Sequence, residues 1–442
     1  MAHIGAEERN QMYTAVLREE LQMALGCTEP IAIAYGAAYT TELLGRRADH
    51  FVAHCSGNII KNVKAVTVPQ TGGKSGIEAA VLIGAIGGKS SLGMEVLSDV
   101  TDADREELDR LLKENIVQVK LLDSKHVLHI IIEAQAGSDH VSVEIVDGHT
   151  QLGTVTKNSE VLHKLEQAAV EDSHKQHEAL SVEDILDYAD HVDLKDVADV
   201  LERQVKCNLA ISEEGLKNLW GAGVGQSLEN RNADLYLRLC AAAAAGSDAR
   251  MNGCAMPVVI NSGSGNQGMT IAIPVALYAQ EKGYSHEKML RGLCVANLIA
   301  VHQKSCIGKL SAFCGAVSAA AGAACGIAYM DGEGIDVISQ TLVNCIASVG
   351  GMVCDGAKSS CAGKIATALS AALMGYDMAK LRRGYLNGEG IVKEDVEKTI
   401  ASVGRMAAKG MRQTDTKSSM RSTRTAFSRC AGKPRYITYR HP

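Results

Sequence analysis

Aromatic side chains are scarce, with 3 Phe and 1 Trp in 442 residues, although 46% of the chain is hydrophobic. Small residues therefore carry the apolar content, Ala above all, beside 43 Gly. A large β-sandwich fits that mixture poorly, whereas closely packed helices and backbone-lined pockets fit it well. Proline is rare at 6, which argues against long linkers. Long hydrophobic runs are missing too. The most apolar stretch, Gly315–Met330, is shorter than a membrane span requires, and Met1–Gln22 has no apolar segment of the secretory kind. A cytoplasmic protein without a membrane partner is the expectation.

Basic surface is also lacking over most of the chain. Lys417–Pro442 holds seven Lys/Arg and no acid, which leaves residues 1–416 with 38 bases against 51 acids. Nucleic acids and anionic membranes demand the opposite balance, so neither is expected as a partner. Cysteine, by contrast, is abundant at 13, an odd number lying in apolar, helix-like contexts. That pattern favours reduced thiols available as ligands or nucleophiles over a disulfide framework.

The periodicities predict an α+β protein. Glu7–Leu25 reads as an amphipathic helix stopped by Gly26, and Thr28 is placed to cap a second helix running to Leu44. Strand-like runs follow at Phe51–Cys55 and Val63–Val68, then helices at Ile77–Ile86 and Asp102–Glu114. Ile116–Leu122, Val127–Ala134, His140–Val146 and Gln151–Val155 are β-rich runs separated by short turns, the pattern of an antiparallel meander. Residues 1–160 thus read as an α/β layer with a small antiparallel sheet, and 161–200 as a helical connector. Residues 201–415 read as a mostly α-helical, Ala/Gly-rich domain, and 416–442 as a disordered basic tail. Gly/Ala-rich helical surfaces are compatible with a homodimer.

Four groups of residues can carry chemistry. Cys314, Cys354 and Cys361 stand at intervals of forty and seven residues, with Gly350, Gly351 and Gly356 around the last two. Three thiolates can hold an iron–sulfur cluster whose remaining iron is open to a ligand, although on spacing alone the same cysteines read first as small buried residues. No CxxC pair or close Cys/His arrangement supports zinc here. The second group is Gly26-Cys27-Thr28-Glu29-Pro30. A cysteine just before a helix N-terminus gains thiolate character from the helix dipole and can act as a nucleophile or base, or it can simply pack between helices. The third is Asn261-Ser262-Gly263-Ser264-Gly265-Asn266-Gln267-Gly268, whose exposed backbone N–H groups suit a carboxylate or phosphate. It lacks the Gly-Lys-Ser/Thr ending of a P-loop and reads equally as a flexible loop. The fourth is the loop Pro69–Gly76, where Lys74 would add charge before the Ile77 helix. His302 and Lys304 are polar residues in an apolar stretch, and a structural role is the simpler reading for both.

Taken together, Gly26-Cys27-Thr28-Glu29-Pro30-Ile31-Ala32, the SGSGNQG loop and the cysteine spacing resemble the iron–sulfur L-cysteine desulfidases, relatives of the α-chain of bacterial L-serine dehydratase. The resemblance runs from about Glu7 to Gly410. It implies that Cys314, Cys354 and Cys361 hold a [4Fe–4S] cluster and that Cys27 removes the substrate Cα proton. It also implies a small amino-acid substrate bound by Ser262, Gly263, Ser264, Gly265, Asn266, Gln267 and Gly268, with Thr28, Glu29 and Lys74 as further substrate-binding residues. The serine dehydratases have a longer gap between their last two cluster cysteines, so the seven-residue interval here resembles the desulfidase branch. The implied reaction is α,β-elimination of L-cysteine to pyruvate, ammonia and sulfide. L-Serine is the alternative substrate, and a non-enzymatic metal-binding or redox-sensing protein the alternative of another class.

Overall fold

The computed structural model describes residues 5–412 and 414, apart from 65, 167–175, 230–233 and 309. The expectation of disorder for 416–442 lies outside the described residues.

The architecture is α+β. Its first part runs α1 (Ala6–Glu20), β1 (Met23–Leu25), α2 (Thr28–Leu44), β2 (His50–Cys55), α3 (Gly57–Val63), α4 (Ile77–Gly87) and α5 (Asp102–Glu114). Five further strands follow: β3 (Val117–Leu121), β4 (His129–Ala136), β5 (Asp139–Val146), β6 (Leu152–Lys157) and β7 (Glu160–Lys164). With β2 they form a six-stranded sheet in the order β3-β2-β4-β5-β6-β7. The strands from β4 to β7 make the antiparallel meander, but β3 pairs in parallel with β2, so Ile116–Leu122 is not the meander's first strand. The helix α5 stands between β2 and β3 in sequence and supplies the crossover that parallel pairing needs. Ile130, Ile132, Ala134 and Ala136 alternate onto the buried face of β4. There α2 packs so closely that a Cβ on Gly36 would lie 3.0 Å from Ile145 and 3.1 Å from Ile132.

Three other expectations need correction. The first helix ends at Glu20, because Met23–Leu25 leaves it to pair antiparallel with Pro257–Val259. Nor is Val63–Val68 a strand. Here α3 ends at Val63, and Thr67 makes only an isolated bridge to Ser75; Val66 and Val68 are apolar because they are buried. Strand β7, exposed along its whole length, lies in a segment expected to be helical.

The second part is α6 (Val182–His191), α7 (Ala198–Lys217), α8 (Val224–Glu229), α9 (Leu235–Met251), β8 (Pro257–Val259), α10 (Gly265–Lys282) and α11 (His286–Ile307). Then come α12 (Gly315–Met330), α13 (Ile335–Val349), α14 (Cys361–Lys380) and α15 (Val396–Arg405). At its centre lies α12, which is buried from Ala316 through Ala328. A Cβ on Gly322 would come within 2.3 Å of the Ala296 carbonyl, and one on Gly326 within 2.5 Å of the Gly292 carbonyl. Glycine and alanine thus let α11 and α12 approach backbone to backbone, which explains why so apolar a chain has so few large side chains. The buried Tyr278 and Tyr376 and the half-buried Tyr284 all donate to Asp331 beyond the far end of α12, at 2.6–3.1 Å.

Candidate active site

The residues singled out in sequence meet in one cavity of about 110 Å³, room for several water molecules. Cys27, Thr28 and Glu29 border it from α2. Ser262, Gly263, Ser264, Asn266 and Gln267 border it from the glycine loop, and Cys314, Cys354 and Cys361 from the helical body. Gly265 and Gly268 do not. A Cβ at Gly268 would sit 2.0 Å from the Val259 carbonyl and one at Gly265 2.4 Å from Arg250, so both positions are small for packing. Lys74 does not border the cavity either; its ammonium pairs with Asp109 at 2.7 Å on the surface.

Backbone pairing brings the distant cysteines together. Phe313 and Val353 form an isolated antiparallel bridge, in which the Cys314 N–H donates to Met352 at 3.0 Å and the Cys354 N–H to Ala312 at 2.7 Å. Cys314 caps α12, and Cys361 is the first residue of α14. Gly356 lies between the last two cysteines with φ 102°, and a Cβ there would come 2.9 Å from the Lys61 carbonyl. Only glycine therefore lets this loop seat against the end of α3.

The glycine loop turns sharply. Asn261 and Ser264 exchange backbone hydrogen bonds at 3.2 and 3.0 Å, and the two residues between them have positive φ, 49° at Ser262 and 74° at Gly263. Such a turn needs a small second residue, and His149 packs where a Gly263 side chain would go, 2.9 Å from its Cβ position. The following helix begins at Gly265, inside the loop rather than after it. Arg250, 3% exposed, ties this loop to the cysteine motif: its Nε donates to the Gly26 carbonyl at 3.0 Å and its Nη1 to Asn266 Oδ1 at 3.2 Å.

Four helices thus begin at the cavity wall: α2 after Cys27, α10 after Ser264, α12 after Cys314 and α14 at Cys361. None has a side-chain cap. Their first-turn N–H groups and dipoles favour negative charge in the space they border. Lys304, 4% exposed, adds a cation that sequence reasoning set aside; burial pulls its pKa down to about 8, against the opposing pull of Cys354, Cys314 and Glu20. Lys364 lies on the same wall and donates to the Val353 carbonyl at 2.8 Å and to Asp355. The signal for Lys304 was its place in an otherwise apolar helix. Its neighbour His302 has the structural role expected of it, bonding Glu397 at 2.6 Å.

Cys27 departs from expectation in one respect. It caps α2 in place of Thr28, whose hydroxyl donates instead to Glu29 Oε2 at 3.0 Å. The helix dipole does not decide the direction of its thiol pKa. Burial raises it well above the ordinary thiol range, and the Glu29 carboxylate, 3.3 Å from the sulfur, raises it further against the pull of Arg250. Glu29 is itself held ionised. Burial pushes its carboxyl up, but the His149 charge, its own backbone N–H and donation from Asn62 at 2.8 Å and from Cys27 outweigh that.

The three cluster-spaced thiols suit a polynuclear metal group better than a single ion. Burial raises the Cys314 thiol to about 12 and the Cys361 thiol in the same direction, so neither is a thiolate without a strong positive partner. Their sulfurs are not gathered within 4.8 Å of one another; among the described residues only Glu19, Glu20 and His177 are grouped so tightly. A single tetrahedral ion with bonds of about 2.3 Å needs closer ligands, whereas three thiols around a shared cavity fit a polynuclear group.

Comparison with known proteins places the chain. The serine dehydratase alpha chain family matches residues 91–418, and the chain belongs to that family of serine dehydratase-like lyases. It is 48% identical over 404 residues to a UPF0597 protein of Finegoldia magna, covering 91% of this chain and 97% of the other. It is also 48% identical to one of Lachnoclostridium phytofermentans over 90% of this chain and 96% of the other. A UPF0597 protein of Treponema denticola is 44% identical over 92% of this chain and 97% of its own length.

Proposed function

We propose that the protein is an L-cysteine desulfidase that depends on a [4Fe–4S] cluster and converts L-cysteine to pyruvate, ammonia and sulfide. One observation carries this reading: Cys27, the glycine-loop turn and the three cysteines border a single cavity, with Lys304 and Lys364 beside the thiols to offset negative charge. Cys314, Cys354 and Cys361 would hold the cluster. Bound there, it supplies a thiophilic Lewis acid suited to the departing sulfur.

The chain's own groups do the rest. Backbone N–H groups of Ser262 and Gly263 in the turn, with Arg250 and Lys304, anchor the substrate carboxylate and fix where Cα lies. Cys27 takes the Cα proton. Its thiol proton must leave before it can do so, and the Glu29 carboxylate to which that thiol is bonded is the acceptor for it, so the working base is the pair. The carbon–sulfur bond then breaks with its electron pair on sulfur, and the aminoacrylate hydrolyses to pyruvate and ammonia.

The seven-residue interval between Cys354 and Cys361 favours cysteine. The family's description favours serine as the second reading, with water as the leaving group. Anaerobically reconstituted protein is given L-cysteine and L-serine in parallel, and pyruvate and sulfide are measured. Pyruvate with equimolar sulfide from cysteine is expected, whereas faster pyruvate formation from serine selects the second reading. Cys27→Ala with normal iron content abolishes turnover if the site is catalytic, and unchanged turnover rejects that assignment.

A further inference from the structure

Two buried amide oxygens accept no hydrogen bond among the described residues: Asn62 Oδ1 and Gln267 Oε1. Both residues border the cavity, and they are only 6% and 4% exposed. Asn62 cannot be turned round. Its Nδ2 donates to Glu29 Oε1 at 2.8 Å, and an ionised carboxylate accepts only, so the amide oxygen must lie on the other side. Gln267 is wedged beside Cys314: a Cβ on Gly315 would lie 2.6–2.8 Å from its amide carbon, nitrogen and oxygen. Buried amide oxygens without a donor are uncommon and call for an explanation in each case.

The other groups around the space sharpen what that donor must be. Arg250, Lys304, the glycine-loop turn and the four uncapped helix starts all present positive charge or N–H groups, which suit a carboxylate. The amide oxygens of Asn62 and Gln267 form an opposite set that only a donor can satisfy, and Glu29, already bonded by Cys27, Thr28 and Asn62, adds a negative charge behind Asn62. A ligand with an anionic and a cationic end separated by one carbon meets both sets. The geometry points to Asn62 and Gln267 as the recognition site for the α-ammonium of a small α-amino acid. Gln267 thereby moves away from the carboxylate-binding role that the resemblance gives it. This inference rests on reading the cavity as an amino-acid site, but not on which group leaves.

Unreactive ligands separate the two ends. The test is anaerobic calorimetric titration of the reconstituted full chain with L-alanine and with propionate, which share a carboxylate and differ in the ammonium. L-Alanine should bind at least tenfold more tightly. In Gln267→Met, which keeps size and removes the acceptor, that ratio should fall to threefold or less while propionate affinity stays unchanged. Gln267→Glu, which places a charged acceptor there, should keep or raise the ratio, and it serves if the Met variant fails to fold. Equal affinities in the native protein, or binding of neither ligand, overturn the inference. So does a ratio that persists in Gln267→Met, a ratio that falls in Gln267→Glu, or a parallel loss of both ligands in either variant. Pyruvate formation from L-cysteine is followed separately: no turnover with the ratio intact rejects the desulfidase reading and leaves the ammonium site standing.

Discussion

Gly356→Ala tests whether the loop carrying the last two cysteines is held where the structure puts it. The backbone there has φ 102°, which an L-residue reaches at a cost of about 1–2 kcal/mol, and the new methyl would lie 2.9 Å from the Lys61 carbonyl. Backbone cannot swing aside as a side-chain tip can, so the loop must move by a few tenths of an ångström, and the total cost is about 1–3 kcal/mol. For 442 residues the unfolding entropy is about 0.9 kcal/mol per degree, so the melting temperature should fall by about 1–3 °C. Gly351→Ala is the control, because a Cβ there meets nothing within 4 Å and needs no positive φ. It should leave melting unchanged or raise it slightly through the unfolded chain. Calorimetry reads the difference, and alkylation of Cys354 and Cys361 by iodoacetamide reads the displacement, which should speed up only in Gly356→Ala. Identical melting and alkylation in the two variants would refute the argument.

Arg250→Met should cost about 1–3 kcal/mol in a urea titration, because it strands the buried Gly26 carbonyl and Asn266 amide; Arg250→Lys should recover less than half, having no fork to reach both. Full recovery by lysine would show that charge alone matters. Gly322→Ala should lower stability by about 1–3 kcal/mol in the same assay, since its methyl would meet the Ala296 carbonyl at 2.3 Å, and an unchanged midpoint would contradict the close approach of α11 and α12. Acid should loosen the contact between α15 and α11. Burial raises the Glu397 carboxyl, but bonding and charge from His302 outweigh it and hold the pKa below its ordinary value. That stabilisation is present above the unfolded pKa of about 4.3 and lost as pH falls through the folded one. Urea midpoints from pH 3 to 6 should therefore fall less steeply in His302→Gln than in the native protein.

Much of this was legible because it is local. The bounds of α2 and α5, the meander and the glycine loop follow from periodicity and turn residues that lie next to one another in the chain. What escaped depends on partners far away in sequence. Nothing in Met23–Leu25 announces Pro257–Val259, and nothing in Ile116–Leu122 says that its neighbour runs parallel. Val63–Val68 was misread because burial alone can make a run apolar. At the site, the cysteines were visible by spacing and by the company of two other motifs. The polar wall was not, since Arg250, Asn62 and Lys304 are ordinary residues until folding buries them. The direction of the Cys27 shift was lost for the same reason: a helix dipole can be seen in sequence, but desolvation beside a carboxylate cannot.

The short pairing between Met23–Leu25 and Pro257–Val259 bears on how the molecule is made. It joins the strand just ahead of Cys27 to the strand just ahead of the glycine loop, so one ladder sets the two motifs side by side. While the chain is being synthesised, the first strand must wait for more than two hundred residues before its partner leaves the ribosome, and Cys361 comes a hundred later. Loop closure over such spans is slow, and the Cys27 end stays open meanwhile. Assembly of the cavity is thus one of the last events of folding, and metal loaded earlier would meet thiols that are not yet arranged to hold it.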